Sequence, residues 1–295
     1  MKPHSTAAAF PRHARRLFLC VAALLSAGSI PAQEVTDMPS GPWFHFRRSP
    51  SISVVYGGLT NSIRGEGTLL APTGLVELKL GGVNEDLVGE GTLVEYRYDY
   101  FTIANISNDL RRNVRAGELA SDTWRFGVAW EKGFGYLLWD AENRPALILY
   151  KTDGIIWSRL DVRGDLDAAP GGTLLGQFED GTRFGTKTEA GVKFRIAPLV
   201  IVDAGFERSI AFRRHIFWPW IGSVAVEGAG QWLIDRFVDR ILDSSPAAVP
   251  VVNFVLKNAL AFGAYQLRRE KMYAPFGSEP PLFSQGFKVG VTFVF

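Results

Sequence analysis

The sequence predicts an all-β protein: an antiparallel transmembrane β-barrel of about ten strands, with a helical hairpin inserted before the last strand. Three observations predict it. Period-two alternation of apolar and polar residues recurs along most of the chain. The chain opens on an export-type segment, and no later stretch reads as a simple transmembrane helix. An alternating apolar face runs unbroken to the final residue, Phe295.

The N-terminus sets the compartment. Lys2, Arg12, Arg15 and Arg16 precede Leu17 to Ile30, an apolar run of 14 residues, and Pro31-Ala32-Gln33 follows. Basic, apolar and small segments in that order form a secretory signal peptide over residues 1–32. The run falls short of the ~20 residues that a spanning helix needs. Cys20, the only cysteine, lies in that run after Leu19, which is too large for a lipoprotein signal. Residues 33–295 then carry no thiol and 28 basic against 30 acidic side chains, so nothing calls for nucleic acid as a partner.

With 47% apolar and 13% aromatic residues, the chain carries more grease than exposed loops tolerate, so it must pack or face lipid. Ten strands are expected, at 50–58, 74–82, 91–104, 122–131, 134–140, 146–152, 155–162, 185–196, 199–212 and 286–295. Val94, Tyr96, Tyr98 and Tyr100 alternate with Glu95, Arg97 and Asp99. Trp124, Phe126, Val128 and Trp130 alternate with Arg125, Gly127, Ala129 and Glu131. Ala190, Val192, Phe194 and Ile196 alternate likewise with Glu189, Gly191, Lys193 and Arg195. The charged sets, with Lys187, Asp203, Glu207 and Lys288, are expected to point inward, and the aromatic sets outward. Lys132-Gly133, Asp153-Gly154 and Ala197-Pro198 read as tight turns on one side, with long loops on the other. Gly65-Glu66-Gly67-Thr68-Leu69 recurs as Gly89-Glu90-Gly91-Thr92-Leu93, which leaves eight or twelve strands as alternatives.

Residues 213–285 break the alternation. Ile221 to Asp243 carries Leu233, Ile234, Phe237, Val238, Ile241 and Leu242 on one helical stripe. Ser244-Ser245-Pro246 ends it, and Pro250 to Leu267 reads as a second, mostly apolar helix. The expectation is an αα-hairpin connected on the extracellular side and packed in or over the barrel mouth. Asp235, Asp239 and Asp243 share a face with Arg236 and Arg240 at hand to neutralise them, so no metal is expected.

At the C-terminus, Phe287, Val289, Val291, Phe293 and Phe295 form one alternating face. Here the chain resembles the bacterial outer-membrane β-barrel proteins, whose last strand commonly ends in an aromatic residue. The resemblance implies that the barrel assembly machinery reads these five residues, and that the protein resides in the outer membrane of a Gram-negative bacterium.

Chemistry-bearing residues are sparse. His45 and His215 are the weak catalytic candidates, since serine chemistry needs a histidine within hydrogen-bond reach, and Ser49, Ser51 and Ser209 lie near them in sequence. No Gly-x-Ser-x-Gly elbow accompanies them. Arg111, Arg112, Arg115, Arg213, Arg214, Arg268 and Arg269 are candidates for lipid phosphate, which the planar guanidinium fork suits. The expected partners are outer-membrane lipids, including lipopolysaccharide, and the assembly machinery; no cofactor is expected. The favoured function is a non-enzymatic outer-membrane barrel, structural or weakly transporting. The alternatives are a lipid-modifying hydrolase or acyltransferase of the same membrane, and a soluble periplasmic β-sandwich binding protein.

Overall fold

Each strand pairs antiparallel with the strands before and after it in sequence, and the last pairs with the first, closing an eight-stranded barrel. The computed structural model describes residues 48–63, 70–89, 91–111, 118–138, 145–166, 172–179, 181–213, 217–270 and 280–295. The strands are β1 (Ser49–Ile63), β2 (Thr73–Val88), β3 (Leu93–Ser107), β4 (Ala120–Leu137), β5 (Ala146–Arg163), β6 (Arg183–Ala197), β7 (Val200–Ala211) and β8 (Leu282–Val294). A short helix α1 (Gly172–Gly176) lies between β5 and β6. Two long helices, α2 (Phe217–Ser244) and α3 (Val249–Glu270), lie between β7 and β8. The expected signal segment lies outside the described residues.

The ladder is staggered. Following partners from Ile52 through Leu80, Phe101, Val128, Ile155, Thr186, Ile210 and Phe283 returns to β1 at Ser62, ten residues on. Such a stagger tilts the strands, and eight tilted strands leave an interior just wide enough for side chains.

The ends differ. At the short-turn end lie the links β2–β3, β4–β5 and β6–β7, together with the start of β1 and the end of β8. At the opposite, long-loop end lie the links β1–β2, β3–β4 and β5–β6 and the two ends of the β7–β8 link. Asn108 ties two of those loops, donating to the Ala71 and Pro72 carbonyls at 3.2 and 2.8 Å and accepting from the Ser121 amide at 2.5 Å.

The count is eight rather than ten because two expected turns are not turns. Lys132-Gly133 lies inside β4, and Asp153-Gly154 lies inside β5. Neither Gly133 nor Gly154 is among the glycines with positive φ, a conformation that tight hairpins demand. Gly133 instead stays extended with the Leu149 carbonyl pressed on it, where a Cβ would stand 2.5 Å from that oxygen. A charged residue beside a glycine imitates turn chemistry; here both dipeptides continue a strand. Since the two lost turns remove two strands, the direction of every later strand is unchanged.

β3 faces the opposite way from the expected one. Tyr96, Tyr98 and Tyr100 point into the barrel, at 0 to 3% exposure, whereas Glu95, Arg97 and Asp99 point out. The charges are met on the outside: Glu95 pairs with Arg97 at 2.8 Å and Lys132 at 3.3 Å, and Asp99 pairs with Arg48. The tyrosines put ring area and a hydroxyl into a polar interior, which phenylalanine could not do.

The hairpin also lies elsewhere than expected. α2 and α3 lie against the outside of the barrel, neither in the lumen nor over its mouth. The lumen is already filled by side chains, and the residues that the helices touch all belong to the outward face. Val238 and Val249 pack on Leu93 and Phe134 near the short-turn end. Tyr265 packs on Ile210, Phe212 and Phe283 near the long-loop end, its ring 5.5 Å from that of Phe283. The hairpin leaves from and returns to the long-loop end, and its tip reaches the short-turn end, where the Tyr136 hydroxyl donates to the Ala247 carbonyl at 2.7 Å.

Candidate functional site

The barrel interior is stacked in three layers. Near the short-turn end, Val83, Val94, Tyr96, Tyr98, Ile148 and Ile201 form a dry plug. Near the long-loop end, Ile63, Leu70, Leu119, Leu160, Leu175, Phe178 and Leu282 form another, with Leu175 and Phe178 brought in by α1 and the turn after it.

Between them lies a charged layer. Lys288 Nζ is 2.8 Å from Glu77, 2.7 Å from Glu189 and 2.6 Å from Glu207. Glu77 also accepts from Lys187 at 2.7 Å and from the Thr102 hydroxyl at 2.6 Å. Arg125 donates to Glu207 at 2.6 Å, and the Tyr150 hydroxyl donates to Glu189 at 2.6 Å. One level toward the short-turn end, Lys193 sits 3.1 Å from Glu131 and 3.7 Å from Asp203, over the Tyr150 ring at 4.6 Å. Strand alternation builds this layer, because the inward positions of β2, β4, β6, β7 and β8 carry ionisable side chains here, with small residues such as Gly127, Ala129, Gly191, Gly205 and Gly290 between them. Mixed signs let each charge find partners, and an isolated charge in so dry a place would cost several kcal/mol. Sequence patterning anticipated Arg125, Glu131, Lys187, Glu189, Lys193, Asp203, Glu207 and Lys288. It missed Glu77 and Lys79, whose alternation with Leu78 and Leu80 is the available signal.

The lumen is thus closed. Above Arg125 a cavity of about 30 Å³ is lined by Asn61, Thr123, Ser158, Ser209 and Ser284 among others. That is room for two or three waters. Ser209 lies there, with its hydroxyl 3.4 Å from Arg125.

The outward face is apolar where the inward face is charged. Ile52, Tyr56, Leu78, Leu80, Phe101, Ile103, Phe126, Trp130, Phe287 and Val289 are all exposed. The terminal face follows this rule: Phe287, Val289, Val291 and Phe293 look outward from β8, and Phe295 closes the chain, its amide bonded to the Pro50 carbonyl at 2.8 Å.

The other candidate residues are scattered. Arg111 is exposed at the long-loop end, just past a 3₁₀ turn. The Arg213 carbonyl accepts from Arg183 at 3.1 Å near the same end. Arg268 is unsuited to lipid phosphate, for it is buried in the hairpin with its guanidinium 2.8 Å from Glu227 and 3.3 Å from Ser223. Arg269 belongs to the last turn of α3. His45, His215, Arg112, Arg115 and Arg214 lie outside the described residues. Among the described residues no group of three or more histidine, cysteine or acidic side chains is placed to hold a metal, and Asp235 pairs instead with Lys257 at 2.6 Å.

No protein-family model matches the chain, and no curated protein does. Among solved structures, the chain is similar to Neisserial surface protein A at 10% identity and a TM-score of 0.38, covering 83% of this chain and 97% of that one. It is similar to Ail, the attachment invasion locus protein of Yersinia pestis, at 10% identity and a TM-score of 0.27, covering 83% and 99%. Similarity to the CymD monoaromatic hydrocarbon channel is 11% at a TM-score of 0.18, covering 55% and 60%. The closed barrel follows from this chain's own strand register.

Proposed function

We propose that this chain is a bacterial outer-membrane β-barrel with a sealed interior, a structural element of that membrane rather than a pore or an enzyme. One observation carries the reading: polarity is inverted relative to a water-soluble protein, with buried charge inside and bare aromatic and aliphatic side chains outside. A contiguous apolar belt of this size aggregates in water, and it is the surface that a spanning barrel presents to hydrocarbon. The sealed lumen supports the structural part, since two apolar plugs and the ion-paired layer between them leave no continuous path among the described residues.

Spanning barrels keep short turns in the periplasm and long loops outside. The short-turn end, with the start of β1 and Phe295, is then periplasmic. Arg111 stands at the opposite end, where lipopolysaccharide phosphates are the natural contact, and the terminal face from Phe287 to Phe295 is offered to the assembly machinery.

Membrane fractionation combined with gel migration of boiled and unboiled samples tests the placement. The protein is expected in the outer membrane, with a faster unboiled band. Recovery from the soluble periplasm would overturn the reading. Purified protein in planar bilayers is expected to give no steady conductance; stable open-channel steps would overturn the structural assignment.

A further inference from the structure

Part of the barrel's outer wall does not fit lipid. On β5, Lys151 and Asp153 point outward between Leu149 and Ile155, and they pair with each other. Their cross-strand neighbours on the same face are Lys132 and Trp130 of β4 and Ala190 and Thr188 of β6. On β7, Arg208 also points outward. Lys132, Lys151, Asp153, Thr188 and Arg208 form a diagonal polar stripe across β4 to β7. A charge facing mid-membrane hydrocarbon from a barrel wall costs about 2–4 kcal/mol.

α3 covers this stripe. It packs on β4 and β5 through a face that is buried at Val249, Asn253, Lys257, Ala261, Tyr265 and Arg268, one residue every three or four. Lys257 lies close enough to Lys132 and Lys151 to feel their charge, and Asp235 of α2 balances it at 2.6 Å. Farther along, Phe262 and Tyr265 lay their rings against the Arg208 guanidinium, at 4.9 and 5.6 Å. Small residues bring the two helices together, with Gly230 of α2 against Leu260.

The other face of the hairpin is bare and apolar. Val251, Val255, Phe262 and Leu267 of α3 are 44 to 62% exposed, and Trp232, Leu233 and Phe237 of α2 are 51 to 61% exposed. The exposed charges of α2, namely Arg236, Asp239, Arg240 and Asp243, gather in its last turns beside the short-turn end, with Arg236 over the Trp232 ring at 5.1 Å. Charges at a helix end beside a tryptophan suit a membrane–water interface. α3, with 22 residues, is ~33 Å long, against ~30 Å for the hydrocarbon core.

We propose that the α2–α3 hairpin crosses the bilayer as a pair of helices clamped to the outside of the barrel. Its polar inner face covers the polar stripe, and its outer face contacts hydrocarbon. The proposal rests on the membrane placement of the barrel. The occupant of the outer face is lipid because that face continues the barrel's own belt, because its length matches the hydrocarbon, and because Lys257 and Arg268 turn inward.

Single cysteines carrying a nitroxide, in a Cys20→Ser background and in phosphatidylcholine–phosphatidylglycerol vesicles, test it. The positions are Val255→Cys and Leu233→Cys on the hairpin, and Leu78→Cys and Phe101→Cys on the uncovered wall. All four labels are expected to collide with oxygen and to lose relaxation by a water-soluble nickel chelate. Nickel relaxation at Val255 and Leu233 with none at Leu78 and Phe101 would overturn the hairpin proposal while sparing the barrel. Little access of either reagent to Val255 and Leu233 would overturn it in favour of a second protein copy on that face. Nickel relaxation at all four would overturn both readings.

Discussion

Two sectors of the same barrel obey different rules. Across β8, β1 and β2 the outward residues include Phe287, Val289, Val291, Phe293, Ile52, Val54, Tyr56, Leu78 and Leu80, and neither hairpin helix covers them. Across β4, β5, β6 and β7 the outward set includes Lys132, Lys151, Asp153, Thr188 and Arg208, and α3 lies over much of it. The polarity of a wall position reports what touches it. Where hydrocarbon is the expected neighbour, the outward residues through the middle of the strands are apolar, and polar ones such as Thr60, Asn84 and Gln285 stand toward the strand ends; where a polar helix face is the neighbour, charges are retained and partnered. The fold assigns the covering helices to a single loop, between the two strands that join the covered sector to the bare one.

The largest expected effect falls on the interior beneath both sectors. Lys288→Met leaves Glu77, Glu189 and Glu207 without their shared cation, which should cost about 3–5 kcal/mol, the loss expected when one partner of a buried ion pair is removed. Reversible urea unfolding in lipid vesicles measures it, and a cost below about 1 kcal/mol would mean that the charged layer is hydrated rather than sealed.

Next comes a charge on the bare sector. Val289→Lys, facing outward at 56% exposure, should cost about 2–4 kcal/mol by the same titration if lipid lies there. A neutral result would break the comparison, because water would then bathe the wall that the account gives to hydrocarbon. The smallest effect is expected for the joint change Lys151→Leu and Asp153→Leu with the hairpin present. Removing both members of a covered pair leaves no orphan charge, and apolar replacements of buried pairs are often neutral or stabilising, so the shift should stay within about 1 kcal/mol. A loss of several kcal/mol would show that the pair, rather than the helix above it, secures the seam.

Sequence patterning reached the barrel and the hairpin but not their relation, for a definite reason. The alternation of Ala190, Val192 and Phe194 with Glu189, Lys193 and Arg195 is local, and it gave the correct inward face of β6. The apolar run from Phe287 to Phe295 is equally local. Lys132-Gly133 and Asp153-Gly154 misled because an outward charge beside a glycine breaks the apolar pattern as a turn does. The cause of those charges lies about a hundred residues downstream, in Lys257, Asp235 and their neighbours on the hairpin, and no window along the strands contains it. The β3 face inverted for a related reason: tyrosine counts as apolar in an alternating pattern, yet the Tyr98 hydroxyl lies 3.2 Å from that of Ser53 in the interior, so Tyr96, Tyr98 and Tyr100 belong to the polar side. Eight strands were among the alternatives, and the hairpin is what hid them.

The most direct test compares two hairpin deletions. In the first, residues 217–270 are replaced by a short flexible linker; in the second, the same deletion carries Lys132→Leu, Lys151→Leu, Asp153→Leu and Arg208→Leu. The quantity measured is the fraction of protein that reaches the outer membrane as a heat-modifiable barrel. The account predicts that the first variant is depleted, because its stripe meets lipid uncovered, and that the second regains much of the loss. Normal assembly of the first variant, or failure of the second to improve on it, would contradict the claim that the hairpin exists to cover the wall.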